Sequence, residues 1–424
     1  MRWVLRVSII VLALAVTALA SVQFVRLHAD SPLARTDAEV VADALPRLAF
    51  LREALDSGSA DRMQQLFPEG YFFNYALYGL SWVDVGARDP GLRERALTEA
   101  RWALAHTDSP AGRAVFSPSL TPPYGVFYQG WSTWLRGGIA QLHGPGAPEL
   151  PRLRADARAL ADAFTATLDR SGSPFLTAYP GQAWPCDSVV GLAAVHRADA
   201  LTGDDHTALT GAWLAAADAR RDPVTGLLPH TVEPETGQPT DLARATSQVI
   251  ILRFLAEFAP ARGAADWTQF RQHFASTVPG VPGVREWPRG VDRPGDVDSG
   301  PLPLGLSASA SAVALGGAVV YRDEAAAAAL TGLAEATGLA VQWHGRRRYL
   351  GGVLPIGDAF LTWSLTARPG VVAAAGDGPS WTWRLPWYVL LPNALAPWWM
   401  LAVLAVRPRL KLAERRVPPI RTSH

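Results

Sequence analysis

The chain has 424 residues, 49% hydrophobic and 18% charged, with a formal net charge of +1. That composition supports a sizeable buried core and gives no field that would gather nucleic acid. The only lysine is Lys411 and the only cysteine is Cys186, which excludes lysine Schiff-base chemistry and Walker-type phosphate loops in the main domain, intrachain disulfides and multi-cysteine metal sites.

The first 25 residues, MRWVLRVSIIVLALAVTALASVQFV, set Arg2 and Arg6 ahead of a long apolar run. Residues 1–28 therefore read as a signal peptide or signal anchor. Ala18-Leu19-Ala20 would suit a cleavage site, but the apolar run continues to about Val25, and an uncleaved anchor is the expectation.

From Asp37 onward a theme recurs six times. Charged, amphipathic segments begin near Asp37, Gly91, Leu150, Asp204, Ala264 and Arg322, with apolar residues at helical spacing. Each is followed by a loop and then an apolar, small-residue-rich helical segment: 67–86, 124–142, 185–203, 242–258, 298–320 and 351–367. Glu69, Tyr124, Cys186, Ala243, Asp298 and Pro355, near the starts of these segments, are 55, 62, 57, 55 and 57 residues apart. A near-constant period of two helices predicts an all-α fold, an (α/α)6 toroid of six helical hairpins over residues 30–385, with the apolar helices inside. The loops from outer to inner helix are long and the return loops short, so the rim at the N-termini of the inner helices is the expected site.

Three of the inner segments would deliver carboxyls to that rim. Glu69 follows Pro68, expected at the first helical position; Asp187 follows Pro185-Cys186; Asp298 opens the fifth segment, with Asp296 expected as a loop or cap residue. A first-turn position stabilises a carboxylate or thiolate unless burial opposes it, so Asp187 would be held ionised and Cys186 partly activated. Converging carboxyls, one protonated and one ionised, are what acid/base work at a hydroxyl-bearing or glycosidic carbon requires. First-turn decoration of a helix, or a small buried thiol, is the plainer alternative for each.

Other groups share the level. Tyr124, Tyr128 and Trp184 are expected to stack on a sugar or enclose an apolar substrate, with Tyr75 beside them. His230 would transfer protons. His344 and Arg347, the latter in Arg346-Arg347-Arg348, would contact substrate, a carboxylate or phosphate in the case of the arginines. No HExxH pair or His/Asp cluster occurs, so neither a metal nor another cofactor is expected.

Residues 387–406, WYVLLPNALAPWWMLAVLAV, match the roughly 20 residues of a transmembrane helix; Pro392, Asn393 and Pro397 would also permit a buried hairpin. Arg407, Arg409, Lys411, Arg415 and Arg416 follow in a basic tail, 407–424. Positive-inside logic then puts both termini in the cytoplasm and residues 30–385 outside it, at the cell membrane.

The six-hairpin period over residues 37–370 resembles the toroids of six-hairpin glycosidases, polysaccharide lyases and uronyl epimerases, whose acidic residues sit at this rim. Locally, Pro185-Cys186-Asp187 resembles the Pro-Cys-acid helix start of linalool dehydratase/isomerase, an extracytoplasmic toroid that acts on a terpene alcohol without metal. That family's second thiol has no counterpart at Ala194-Val195-His196. The first expectation is thus an enzyme acting on an envelope glycan through Glu69, Asp187 and Asp298. The alternatives are a lyase or isomerase of a small isoprenoid alcohol, with Cys186 and Asp187 moving the proton, and a non-catalytic binding or assembly protein. An oligomer is compatible with each.

Overall fold

The computed structural model describes residues 2–374 and 382–406; the basic tail expected over 407–424 lies outside the described residues. The protein is mainly helical. Its regular strands, among the described residues, form two short antiparallel ladders, β1 (Val284–Arg285) with β2 (Leu306–Ser307) and β3 (Val341–Trp343) with β4 (Arg346–Arg348).

After the N-terminal helix α1 (Arg2–Arg26) come α2 (Asp37–Asp56), a short α3 (Ser59–Gln64), α4 (Gly70–Arg88), α5 (Arg93–Thr107), a one-turn α6 (Pro110–Arg113) and α7 (Gly125–His143). Then follow α8 (Leu150–Ser171), α9 (Pro185–Thr202), α10 (Thr207–Asp218), α11 (Ala245–Phe258), α12 (Pro260–Phe274), α13 (Ala308–Val320), α14 (Glu324–Thr337), α15 (Pro355–Leu365) and α16 (Leu385–Val406). Local chemistry sets many of these ends. Thr36 and Glu39 form a reciprocal capping box on α2, Pro185 opens α9, and Gly172 and Gly203 end α8 and α9 in left-handed conformation.

The apolar helices pack in sequence, α4 on α7, α7 on α9, α9 on α11, α11 on α13 and α13 on α15, and α15 packs back on α4. The charged helices lie against them: α2 on α4 and α15, α5 on α4 and α7, α8 on α7 and α9, α12 on α11, α14 on α13, with α10 on α8. Where α7 crosses α9, a Cβ on Gly130 would stand 3.0 Å from the Gly191 amide nitrogen, tighter than ordinary van der Waals contact, so glycine lets the two helices approach without a shift. Aromatic rings from four apolar helices fill the middle: Trp131 lies 5.2 Å from Phe73, 5.1 Å from Phe254 and 5.7 Å from Trp363.

Polar contacts join the first and last pairs. Arg88 of α4 donates to the carbonyls of Thr366 and Ala367 at 3.0 and 2.8 Å. Buried Arg47 of α2 donates to Glu335 of α14 at 2.8 Å, and Tyr349 donates to the same carboxylate oxygen at 2.5 Å. A guanidinium out of water is tolerable only when paired in this way.

Two expected boundaries move. Helix α4 begins at Gly70, so Pro68 precedes it and Glu69 is its cap residue. Helix α13 begins at Ala308 rather than 298, because Gly300 and Gly305 take positive φ, Pro301 and Pro303 lack an amide donor, and Ser307 accepts the Ala310 N–H as a cap.

Trp3–Arg26 and Thr382–Ala405 are long and apolar enough to cross a membrane, and both are exposed along most of their length. The second remains one helix through Pro392 and Pro397, so the buried hairpin is not adopted. α1 and α16 pack on each other: Trp399 Nε1 donates to Thr17 Oγ1 at 3.0 Å, and the Tyr388 and Phe24 rings are 5.1 Å apart.

Candidate functional site

The site begins with Pro185, which fixes the first turn of α9 and so places Cys186 and Asp187 at its second and third positions. Asp187 is 6% exposed and Cys186 is partly buried. Burial, then Glu69 and Asp298, push the Asp187 carboxyl well above the usual range, and burial with the neighbouring Asp187 pushes the Cys186 thiol up. The expectation of an ionised Asp187 and a partly activated Cys186 is therefore reversed: desolvation of a full charge outweighs the partial charge of a helix end. The thiol donates to Asp187 Oδ1 across 3.7 Å.

Glu69 reaches the same place from the cap of α4. Burial raises its carboxyl too, opposed by a hydrogen bond from the Tyr179 hydroxyl. Tyr179 comes from the connection between α8 and α9, brought in where Val126 N–H donates to Thr177 O at 3.0 Å. The adjoining Gly125, at φ +77°, leaves no room for a Cβ, which would lie 2.3 Å from Ala178 O.

Asp298 arrives from the long connection before α13 rather than from a helix start. It keeps access to solvent, yet burial, then Asp296 and Glu69, push its carboxyl up to about 6. Asp296 is a loop residue, as expected. Its carboxylate accepts the amides of Asp298 and Ser299 and a 2.7 Å bond from Arg244, which with the Ser299 amide hold it down at about 2 against the effect of burial.

His230 is buried and joins the cluster from the other side of Cys186. Its Nδ1 is 2.6 Å from Ser247 Oγ, and Arg244 Nη1 donates to its Nε2 at 3.2 Å. Ser247 also adjoins the Cys186 thiol and opposes the upward push on it. Burial, then Arg244, lower the imidazole to about 4, so it is neutral near neutral pH. Arg244 is anchored by Glu286 at 2.9 Å, a buried carboxylate that also accepts from Thr246.

The remaining sequence candidates fall into two groups. Trp184 caps α9 with its ring edge-on to Tyr179 at 5.9 Å, and Tyr124 starts α7 at φ +71° with its ring 5.4 Å from Tyr128; both are half-buried near the rim. The others carry structural contacts. Tyr128 donates to Asp108 at 2.8 Å and accepts from Arg113 at 2.9 Å; Tyr75 packs between Tyr71, Trp102 and His106. His344 is exposed at the tip of the β3–β4 hairpin beside Trp343, and Arg347 pairs with Asp43 and Glu335.

Tyr179, Ser247 and Arg244 escape sequence reasoning. For Arg244 and Ser247 a signal existed: ARATS puts polar groups at the start of an otherwise apolar segment. Tyr179 carried none, because its loop has no periodicity. Among the described residues no group of three or more His, Cys, Asp or Glu is arranged to hold a metal ion. A surface groove of about 350 Å³ lined by Arg285, Trp287, Asp292 and Arg293 contains none of the site carboxyls.

Set beside known proteins, the sequence matches no family model, and no curated protein matches it.

Proposed function

We propose that the six helical pairs are an (α/α)6 toroid, anchored in the membrane by α1 and α16, and that its rim performs metal-independent acid/base chemistry on a small isoprenoid-type alcohol. The order of helix contacts, ending with α15 on α4, supports the toroid. Arg2 and Arg6 in the first turns of α1 and the basic residues after α16 support cytoplasmic termini with the domain outside.

The observation that carries the chemistry is the thiol-to-carboxyl contact of Cys186 and Asp187 beside Asp298. Asp187 holds a proton because burial and two acidic neighbours disfavour its charge, and no ion pair among the described residues offsets them. Asp298, near 6, is largely ionised at neutral pH. In this reading Asp187 protonates the hydroxyl as the C–O bond breaks and water leaves, while Asp298 takes a proton from the adjacent carbon as the C=C bond forms. Cys186, which is only partly buried, returns a proton to Asp187 and regains one from solvent, and Asp298 releases its own to solvent.

An alcohol is favoured over a glycan because a neutral thiol and aromatic rings flank Asp187 and Glu69: Tyr179, bonded to Glu69, stacks on Phe116 at 5.8 Å and meets Trp184. A glycan hydrolase or lyase is the second reading, supported by the pairing of a protonated with an ionisable carboxyl, the requirement of glycosidic cleavage. The test is product formation by the full-length protein with panels of isoprenoid alcohols and envelope oligosaccharides, together with thermal unfolding. A ligand at about 100 times its Kd adds about 2.7 kcal/mol of stability. Turnover and stabilisation by alcohols alone support the first reading; by oligosaccharides alone, the second replaces it.

A further inference from the structure

The two terminal helices leave the domain at the end that carries the carboxyls. Ser31 Oγ donates to Glu324 at the N-terminus of α14 at 2.7 Å, whereas Arg26 donates to the carbonyl of Ala340, just beyond its C-terminus. Residues 26–31 thus run down α14, and α1 extends away past its C-terminal end. α16 departs from the same end: Arg384 Nε donates to Leu27 O at 2.7 Å, and Trp387 Nε1 to Gly280 O at 2.5 Å. Gly280 lies in the connection between α12 and α13 that carries Asp298, and Ala340 in the one between α14 and α15.

Exposed apolar side chains gather at that end too. Outside α1 and α16, every large exposed hydrophobic among the described residues except Val371 lies in a connection leading to the N-terminus of an apolar helix. Residues 338–354 hold six of them, including Trp343, 65% exposed, and Val353, 77% exposed; Val297 adjoins Asp298. The ladder places Val341 opposite Arg348 and Trp343 opposite Arg346, so one face of this hairpin mixes aliphatic, aromatic and guanidinium groups, the composition of a bilayer interface. Grouped apolar exposure needs a partner, and the helices that emerge here identify it as lipid.

We infer that the carboxyl-bearing rim rests on the bilayer crossed by α1 and α16, and that the site draws an apolar, hydroxyl-bearing substrate from the lipid phase. The substrate class rests on the acid/base reading above; the contact with lipid does not.

The experiment uses the full-length chain with Cys186→Ser, one spin label at a time, in phosphatidylcholine nanodiscs. Labels at Val353→Cys and Trp343→Cys probe the rim, Val371→Cys the opposite end (82% exposed) and Val11→Cys the anchor. Collision with oxygen and with a water-soluble nickel chelate is measured for each. The expected result is oxygen-dominated collision at Val11 and several-fold lower nickel accessibility at Val353 and Trp343 than at Val371. Rim labels as wet as Val371 beside a lipid-embedded Val11 overturn the inference while anchoring stands. A wet Val11 overturns the anchoring and the inference with it. Rim shielding that vanishes with spin–spin broadening on lipid dilution assigns the patch to a second copy and also overturns it. For the unsubstituted chain turning over an alcohol, the rate is expected to follow the alcohol's mole fraction in the bilayer; a rate set by its aqueous concentration overturns the lipid route. Absence of turnover with any alcohol counts against the acid/base reading, whereas the labels report lipid contact without activity.

Discussion

His230 Nδ1 lies 2.6 Å from Ser247 Oγ while His230 Nε2 accepts a bond from Arg244 Nη1. A guanidinium only donates, so Nε2 is the bare nitrogen and the proton of the neutral ring sits on Nδ1, directed at Ser247. The serine hydroxyl is thereby left with its own proton to donate, next to the Cys186 thiol, which donates to Asp187. The two bonds of His230 have one direction, from Arg244 to Ser247, and it is set by chemistry rather than by proximity.

Cys186→Ser is expected to lower kcat/KM by at least about 100-fold, the lower end of what a positioned proton-transfer group contributes, with the melting temperature nearly unchanged. Steady-state kinetics beside thermal unfolding checks this. Retained activity favours the glycan reading, which needs only the carboxyls.

Asp298 sets the acidic limb of the pH profile. With its carboxyl near 6, kcat/KM should climb as pH rises through that value and fall once Asp187 loses its proton. Asp298→Asn removes the limb and most of the turnover while ligand-induced stabilisation persists. Glu69→Gln, by deleting an acidic neighbour, should move the limb to lower pH. An unmoved limb would show that Glu69 does not act on Asp298.

Stability carries two opposed pH terms. His230, depressed from 6.5 to about 4, stays neutral in the native state while the unfolded chain takes up a proton below 6.5, so its contribution is present above that pH and lost as pH falls toward 4. Asp298, raised from 3.8 to about 6, contributes in the opposite sense: its stabilising term is complete below 3.8 and is lost as pH rises through 6. Urea titrations of His230→Asn between pH 4 and 6.5 should lose the acid-side decline; a profile parallel to the parent's counts against a buried neutral imidazole.

Tyr128→Phe should leave kcat/KM within about threefold and cost about 1 kcal/mol, because the hydroxyl bridges Asp108 and Arg113 rather than the carboxyl cluster. A large kinetic effect with normal stability would return Tyr128 to the substrate.

Arg47→Ala leaves Glu335 buried without its main partner and should cost about 3–5 kcal/mol. Substituting Glu335→Gln in the same chain should recover part of that loss. Chemical denaturation of the two variants checks whether this pair holds the first and last helices together.

The six charged and six apolar segments were legible because each helix repeats its contact with neighbours every three or four residues, a regularity that local sequence records. The first turn of α9 was legible for a similar reason: proline at the first position fixes where Cys186 and Asp187 fall. Asp298 was legible as a residue but not in its position, since the prolines and glycines after it delay α13 by ten residues. Tyr179 reaches Glu69, and Ser247 comes beside Cys186, only because segments from separate helical pairs meet at one end, while Arg244 meets His230 by the folding back of one long connection.

Composition and spacing by themselves determined the helical class, the two apolar terminal segments, the absence of a lysine from the main domain and the carboxyls available for chemistry. Only the tertiary structure decided which state each carboxyl and the thiol hold. A helix terminus offers a fraction of a charge, a local property written in sequence. Loss of water around Asp187, with Glu69 and Asp298 beside it, is a larger effect produced by parts of the chain 118 residues before it and 111 after it, and no local pattern encodes it.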